Sequence, residues 1–218
     1  MKVQELKGQY DAIFSLGSNC SPAIQLQKNN LRPYAGVLDW LTSYSLTNLN
    51  ILLRNRFVGF MELQNMSVEG IDAHEKSYVL KDRAYNIASH HDFPIHTNTP
   101  GNLVSYFEFK GKLDRRIRRF LDKTETSKNI LFIRTGGTYS EMLELHSILS
   151  SMVRHEFKLI LINYTAISGM IEHACDLDNV ALLEMQGHDI WRHNDHLWRS
   201  VFDGINFCNM NSVSKNSV

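Results

Sequence analysis

The last third of the chain constrains the fold most. Asn129-Ile130-Leu131-Phe132-Ile133-Arg134 is an apolar run of strand length that stops at Gly136-Gly137, and Tyr139 to His155 then carries helical spacing. Phe157 to Asn163 and Val180 to Met185 are two further strand runs. Continuous apolar runs are typical of strands buried on both faces, and strands alternating with helices pair in parallel through right-handed crossovers. The expected fold class is therefore α/β: a mostly parallel central sheet flanked by helices, in a Rossmann-like three-layer arrangement.

The front of the chain supplies one more unit of this kind. Tyr10 to Leu16 reads as a buried strand closed by Gly17, Ser21 as a helix N-cap, and Pro22 as a first-turn residue ahead of Ala23, Ile24 and Leu26. Helical spacing returns at Leu46, Leu49, Leu52, Leu53 and Phe57, and again from Leu113 to Leu121, where Arg115, Arg116, Arg118 and Arg119 lie off the apolar face. Between Gly59 and Gly101 the periodicity is poor, with turn signals at Pro94 and Pro100, and a loop-rich insertion is expected. Residues 1–208 are expected to form a single domain, with the polar stretch 209–218 as a disordered tail.

Composition narrows the class of partner. Lys plus Arg and Asp plus Glu both number 23, so no net field gathers nucleic acid or an anionic membrane, and neither is expected as a partner. No run approaches a membrane span, and the first residues lack a signal-peptide core, so a cytoplasmic protein is expected. The 3 cysteines, Cys20, Cys175 and Cys208, are odd in number and lack CxxC spacing, which favours free thiols over a disulfide framework or a zinc site. The 10 histidines show no HExxH pattern, and neither a metal nor a cofactor is expected.

Chemistry concentrates at the first turn. In open parallel sheets ligands bind beyond the carboxyl ends of the strands, and Gly17-Ser18-Asn19-Cys20-Ser21 occupies such an end. Unpaired N–H groups at the start of the following helix can hold an oxyanion, with Gly17, Ser18, Asn19 and Ser21 as the candidates. The same position is expected to lower the pKa of Cys20 and make its thiol a nucleophile. A small buried hydrophobe is the plain alternative for this cysteine, and a phosphate-binding loop another, although no GxxxxGK[ST] or GxGxxG pattern is present. Arg134 at a neighbouring strand end, Trp40, Trp191 and Asp195 are candidate substrate contacts, with Asp195-His196 also a possible source of the base.

The segment Phe14-Ser15-Leu16-Gly17-Ser18-Asn19-Cys20-Ser21-Pro22-Ala23, with Leu26 and Leu38-Asp39-Trp40-Leu41 beyond it, resembles the bacterial "putative papain-like cysteine peptidase" family. His91-Asp92-Phe93, the arginine-rich helix, the strand Ile130 to Arg134, and Trp191, Asp195 and Trp198 extend the resemblance over nearly the whole chain. The resemblance implies a Cys20 nucleophile, a histidine partner at His91, and an orienting carboxylate at Asp39 or Asp92. Papain-type enzymes carry their cysteine on a helix packed against an antiparallel sheet, whereas Cys20 follows a strand of an apparently parallel one.

The functional expectation is a cysteine-dependent hydrolase or acyl transferase acting on a small-molecule or peptide substrate. A non-enzymatic domain binding phosphate or carboxylate at the same turn is the alternative. The oligomeric state is open.

Overall fold

The structure, a computed structural model, describes residues 1–208; the expectation for the 209–218 tail lies outside them. The predicted first strand is interrupted at Asp11, whose carboxylate accepts the backbone N–H groups of Lys128 and Asn129 at 2.9 and 3.1 Å. Two short strands result, β1 (Gly8–Tyr10) and β2 (Ala12–Ser15), followed by helix α1 (Ser21–Lys28). Strand β3 (Leu41–Ser43) and helix α2 (Leu46–Arg54) come next, then β4 (Met66–Ile71), β5 (Tyr78–Asp82) and β6 (Ile87–Ser89). The long helix α3 (Tyr106–Thr126) leads into β7 (Asn129–Thr135), α4 (Tyr139–Met152) and β8 (Glu156–Thr165). The chain closes with β9 (Met170–His173), β10 (Val180–Gln186), α5 (Asp195–Phe202) and β11 (Ile205–Phe207).

The central sheet has the order β2-β7-β8-β10-β9, and β11 pairs in parallel with β1. Alternate residues of each strand point to opposite faces, and this assigns the helices. Phe14, Phe132, Leu159 and Leu161 share one cluster with Leu49 and Leu53 of α2, Leu113 and Phe120 of α3, and Leu145 and Leu149 of α4. Ile13, Leu131, Ile133, Ile160 and Ile162 share the other with Leu26 of α1 and Trp198 and Phe202 of α5. Each such side chain, fully buried, contributes about 1.5–3 kcal/mol to folding before entropy is subtracted.

Two expectations are corrected. The sheet is mostly parallel, as expected, through β2, β7, β8 and β10, with β9 added antiparallel to β10. Strands β2, β7, β8 and β10 also lie in chain order, without the central reversal of a Rossmann sheet. The cause is local: no helix connects β8 to β10, and a tight turn through Gly169, at φ +78°, feeds β9 directly. The supposed loop-rich insertion contains most of a second, four-stranded antiparallel sheet of order β3-β6-β5-β4. Its strands span 3 to 6 residues, and the register shifts between Val68 and Gly70, so period-2 alternation is too short and too broken to read in the sequence.

Among the described residues no helix is long and apolar enough to cross a membrane. The two sheets meet where the candidate chemistry lies: the N–H of Ser43 in β3 donates to the carbonyl of Ser18 at 3.0 Å.

Candidate functional site

The turn after β2 is held from several sides. Gly17, at φ +77°, accepts at its carbonyl from both the N–H and the hydroxyl of Thr135, each at 3.1 Å. The Ser18 hydroxyl lies 3.0 Å from that of Thr135, and Asn19 Oδ1 accepts the Ser21 N–H at 2.9 Å. Cys20 follows as the N-cap of α1, half-buried, with its carbonyl accepting the Ile24 N–H at 3.0 Å.

Beneath the turn lies Arg134, only 1% exposed. Its guanidinium donates to the Leu16 carbonyl at 3.0 Å, the Ser43 carbonyl at 3.3 Å, the Gly136 carbonyl at 3.1 Å and the Ser43 hydroxyl. Burial pulls its pKa down to about 9, which leaves it charged at neutral pH. Arg134 therefore ties β2, β3 and β7 together, and its burial removes it from the candidate substrate contacts.

The electrostatics of Cys20 also differ from expectation. Burial pushes its thiol up, and a contact with its own backbone N–H offsets this only in part. Desolvation of the half-buried sulfur is the larger influence, so the position at the N-cap of α1 does not bring the thiol down. Among the oxyanion candidates, the N–H of Gly17 is taken by the Ser15 hydroxyl at 3.1 Å and that of Ser21 by Asn19. The N–H groups of Ser18 and Asn19 donate to no protein acceptor among the described residues.

The histidine candidates and Asp92 lie just beyond β6, and Asp39 just before β3. Leu41 pairs with Ser89, so the segments 39–40 and 90–92 are neighbours. His91 is exposed and lines a cavity of about 230 Å³ with Asp92, Ser105, Glu108 and Lys112. His90 is half-buried, its Nε2 has no hydrogen-bond partner among the described residues, and burial lowers its pKa. The two rings stand 6.3 Å apart, and neither donates to or accepts from Cys20 among the described residues.

Asp39 is committed elsewhere: its Oδ2 accepts Arg32 Nε and the Gly36 N–H, both at 2.7 Å. Asp92 accepts the Ser89 hydroxyl at 2.6 Å. Trp40 lies under the Arg32 guanidinium, which is 5.1 Å from its ring centre. Trp191 is 47% exposed in the loop after β10.

Asp195 pairs with Lys28 at 2.8 Å and accepts Gln25 Nε2 at 2.7 Å. Through these two partners the carboxylate clamps α1 to α5. Among the described residues no three His, Cys, Asp or Glu side chains gather in a group that could hold a metal. A larger cavity, about 390 Å³ and lined by Leu63, Met66, Leu103, Tyr106 and Phe107, contains none of these groups.

Sequence reasoning did not single out Thr135, Ser43, Arg32 or Tyr164, whose hydroxyl lies 3.1 Å from that of Ser21. Thr135 was within reach of it, since the residue before a glycine pair at a strand end is a natural anchor for a neighbouring turn.

The chain is 32% identical over 139 residues, 57% of its length, to an uncharacterized protein of Acanthamoeba polyphaga mimivirus. It spans about three fifths of that protein, 61%. The relative is viral, not bacterial. No solved structure matches the chain. The family model described as "Putative papain-like cysteine peptidase (DUF1796)" matches residues 11–166, which contain the turn, the Ser18–Ser43 junction of the two sheets and the His90–Asp92 segment. The chain therefore belongs to that family.

Proposed function

We propose that the chain is a cysteine-dependent hydrolase or acyl transferase, with Cys20 as nucleophile and His91 as its proton carrier. The observation that carries this reading is the position of Cys20: half-buried at the N-cap of α1, at the carboxyl end of β2, beside the free N–H groups of Ser18 and Asn19.

With a thiol raised by burial, the sulfur rests protonated at neutral pH. Proton removal must then accompany attack. His91 takes the thiol proton as sulfur bonds to the substrate carbonyl carbon. The carbonyl oxygen gains the electron pair and is held by the N–H groups at Ser18 and Asn19. The intermediate collapses, the leaving group departs with the proton from His91, and water or a second acceptor resolves the acyl-enzyme. The side chain of Asp92, next along the chain, or that of Asp39 would orient the imidazole.

Turnover of activated esters and peptide thioesters tests this. Cys20→Ala should abolish turnover, and His91→Ala should lower it by about 10²–10⁴-fold, the usual contribution of acid–base catalysis. A His91→Ala protein as active as the wild type, with His90→Ala inactive, would transfer the role to His90, whose unpartnered Nε2 makes it the competitor.

The raised thiol favours one further reading, a non-enzymatic anion-binding domain using the same turn. Undiminished ligand affinity in Cys20→Ala, with no turnover by the wild type, would support it.

A further inference from the structure

Helix α1 carries Cys20 at its N-cap, and the polar contacts of its first turn stay almost entirely local. Asn19 Oδ1 accepts the Ser21 N–H at 2.9 Å, the Cys20 carbonyl accepts the Ile24 N–H at 3.0 Å, and Pro22 has no N–H to give. One hydrogen bond leaves the helix: the Ser21 hydroxyl lies 3.1 Å from the Tyr164 hydroxyl. Among the described residues it is the sole hydrogen bond that joins residues 20–23 to an element other than α1 and its own turn.

Tyr164 stands near the carboxyl end of β8, a strand that β7 separates from β2. Its ring packs with the cluster on the α1 and α5 face of the sheet. Thr135 and Arg134 hold the turn from β7, and Tyr164 holds the start of the helix from β8. Ser21 is only 2% exposed, so little water competes for its hydroxyl. Burial pushes the Tyr164 phenol up, which keeps it protonated and able to donate at neutral pH. The indole N–H of Trp198, buried without a hydrogen-bond partner, also acts on this phenol; it can only donate, so the phenol proton is left for Ser21.

We propose that Tyr164 is a positioning residue for Cys20: by gripping Ser21 it fixes the first turn of α1, and with it the depth at which the neighbouring thiol is held. Burial and the residue's own backbone N–H are the influences on that thiol, with no charged side chain among them. Water admitted by a loosened first turn therefore moves the thiol one way, down toward its ordinary value. The inference concerns the thiol itself. Its consequence for catalysis rests on the cysteine-hydrolase reading, under which Tyr164→Phe lowers kcat more than it raises KM.

Iodoacetamide labelling across pH, with each cysteine followed separately by mass spectrometry, tests the positioning directly. Tyr164→Phe and Ser21→Ala each delete one oxygen and keep the surrounding packing. Either change should lower the Cys20 midpoint by at least about half a pH unit, which is about threefold in rate at about pH 8. Cys175 and Cys208 should label as in the wild type, whereas a general loosening of the fold would speed all three. The double variant should match the single ones, since both remove the same bond. Should one single variant lose the fold, the other removes the same bond and carries the test. An unchanged Cys20 midpoint, equal acceleration of all three cysteines, or additive shifts in the double variant would overturn the proposal. Wild-type protein that turns over no ester or thioester, with Cys20 alone shifted in Tyr164→Phe, would sink the hydrolase reading and leave the positioning role standing.

Discussion

Replacing Arg134 by methionine probes the junction that carries Cys20. The change removes every donor to the carbonyls of Leu16, Ser43 and Gly136 while filling much of the same volume. Each buried carbonyl left without a donor costs about 1–3 kcal/mol, or about 3–9 kcal/mol for the three. Against this stands the relief of removing a desolvated charge that has no carboxylate partner, which offsets several kcal/mol. The expected net loss is about 3–5 kcal/mol, which in a chain of this size lowers Tm by roughly 6–20 °C. Urea denaturation followed by circular dichroism measures the first quantity and a thermal scan the second. The turn should also loosen, so Cys20 alkylation in the folded variant should speed up. If Arg134→Met came within about 0.5 kcal/mol of wild type and left the alkylation rate unchanged, the argument that Arg134 organises the turn would fail.

Three further outcomes follow from the same geometry. The rate of Cys20 alkylation by iodoacetamide should rise with pH to a midpoint above 9.0, the unperturbed value for a thiol; a midpoint near 7 would mean that a cation holds the thiolate instead. Glu141 is held down to about 2 by the backbone N–H and hydroxyl groups of Thr138 and Thr47. Its stabilisation is complete above its unfolded value of 4.5 and disappears as pH falls through about 2, so Glu141→Gln should flatten acid unfolding in that window; an unchanged acid limb would refute the assignment. Gly137 sits at φ +156°, where an added Cβ would come within 2.5 Å of Leu46 Cδ2, so Gly137→Ala should destabilise by about 1–3 kcal/mol in equilibrium unfolding, whereas a neutral result would mean that α2 shifts freely.

The apolar runs 129–134, 157–163 and 180–185 could hardly be anything but core strands, because stretches this short and continuous bury on two faces only within a sheet covered on both sides. The same local logic made the strand, turn and helix around Cys20 legible, since Gly17, Asn19 and Pro22 each answer a backbone requirement within a few residues of themselves. The second sheet escaped because its pairing joins β3 to β6 across more than 40 residues, through strands too short for their alternation to register. The role of Arg134 escaped for a similar reason: a strand-end arginine reads as a cation for ligands until three segments close over it and desolvate it. Sequence also set Cys20 beside a helix N-terminus, but whether dipole or burial governs its proton depends on how deeply the packed layers enclose the sulfur. That depth is a property of contacts between distant segments, and only the tertiary structure decides it.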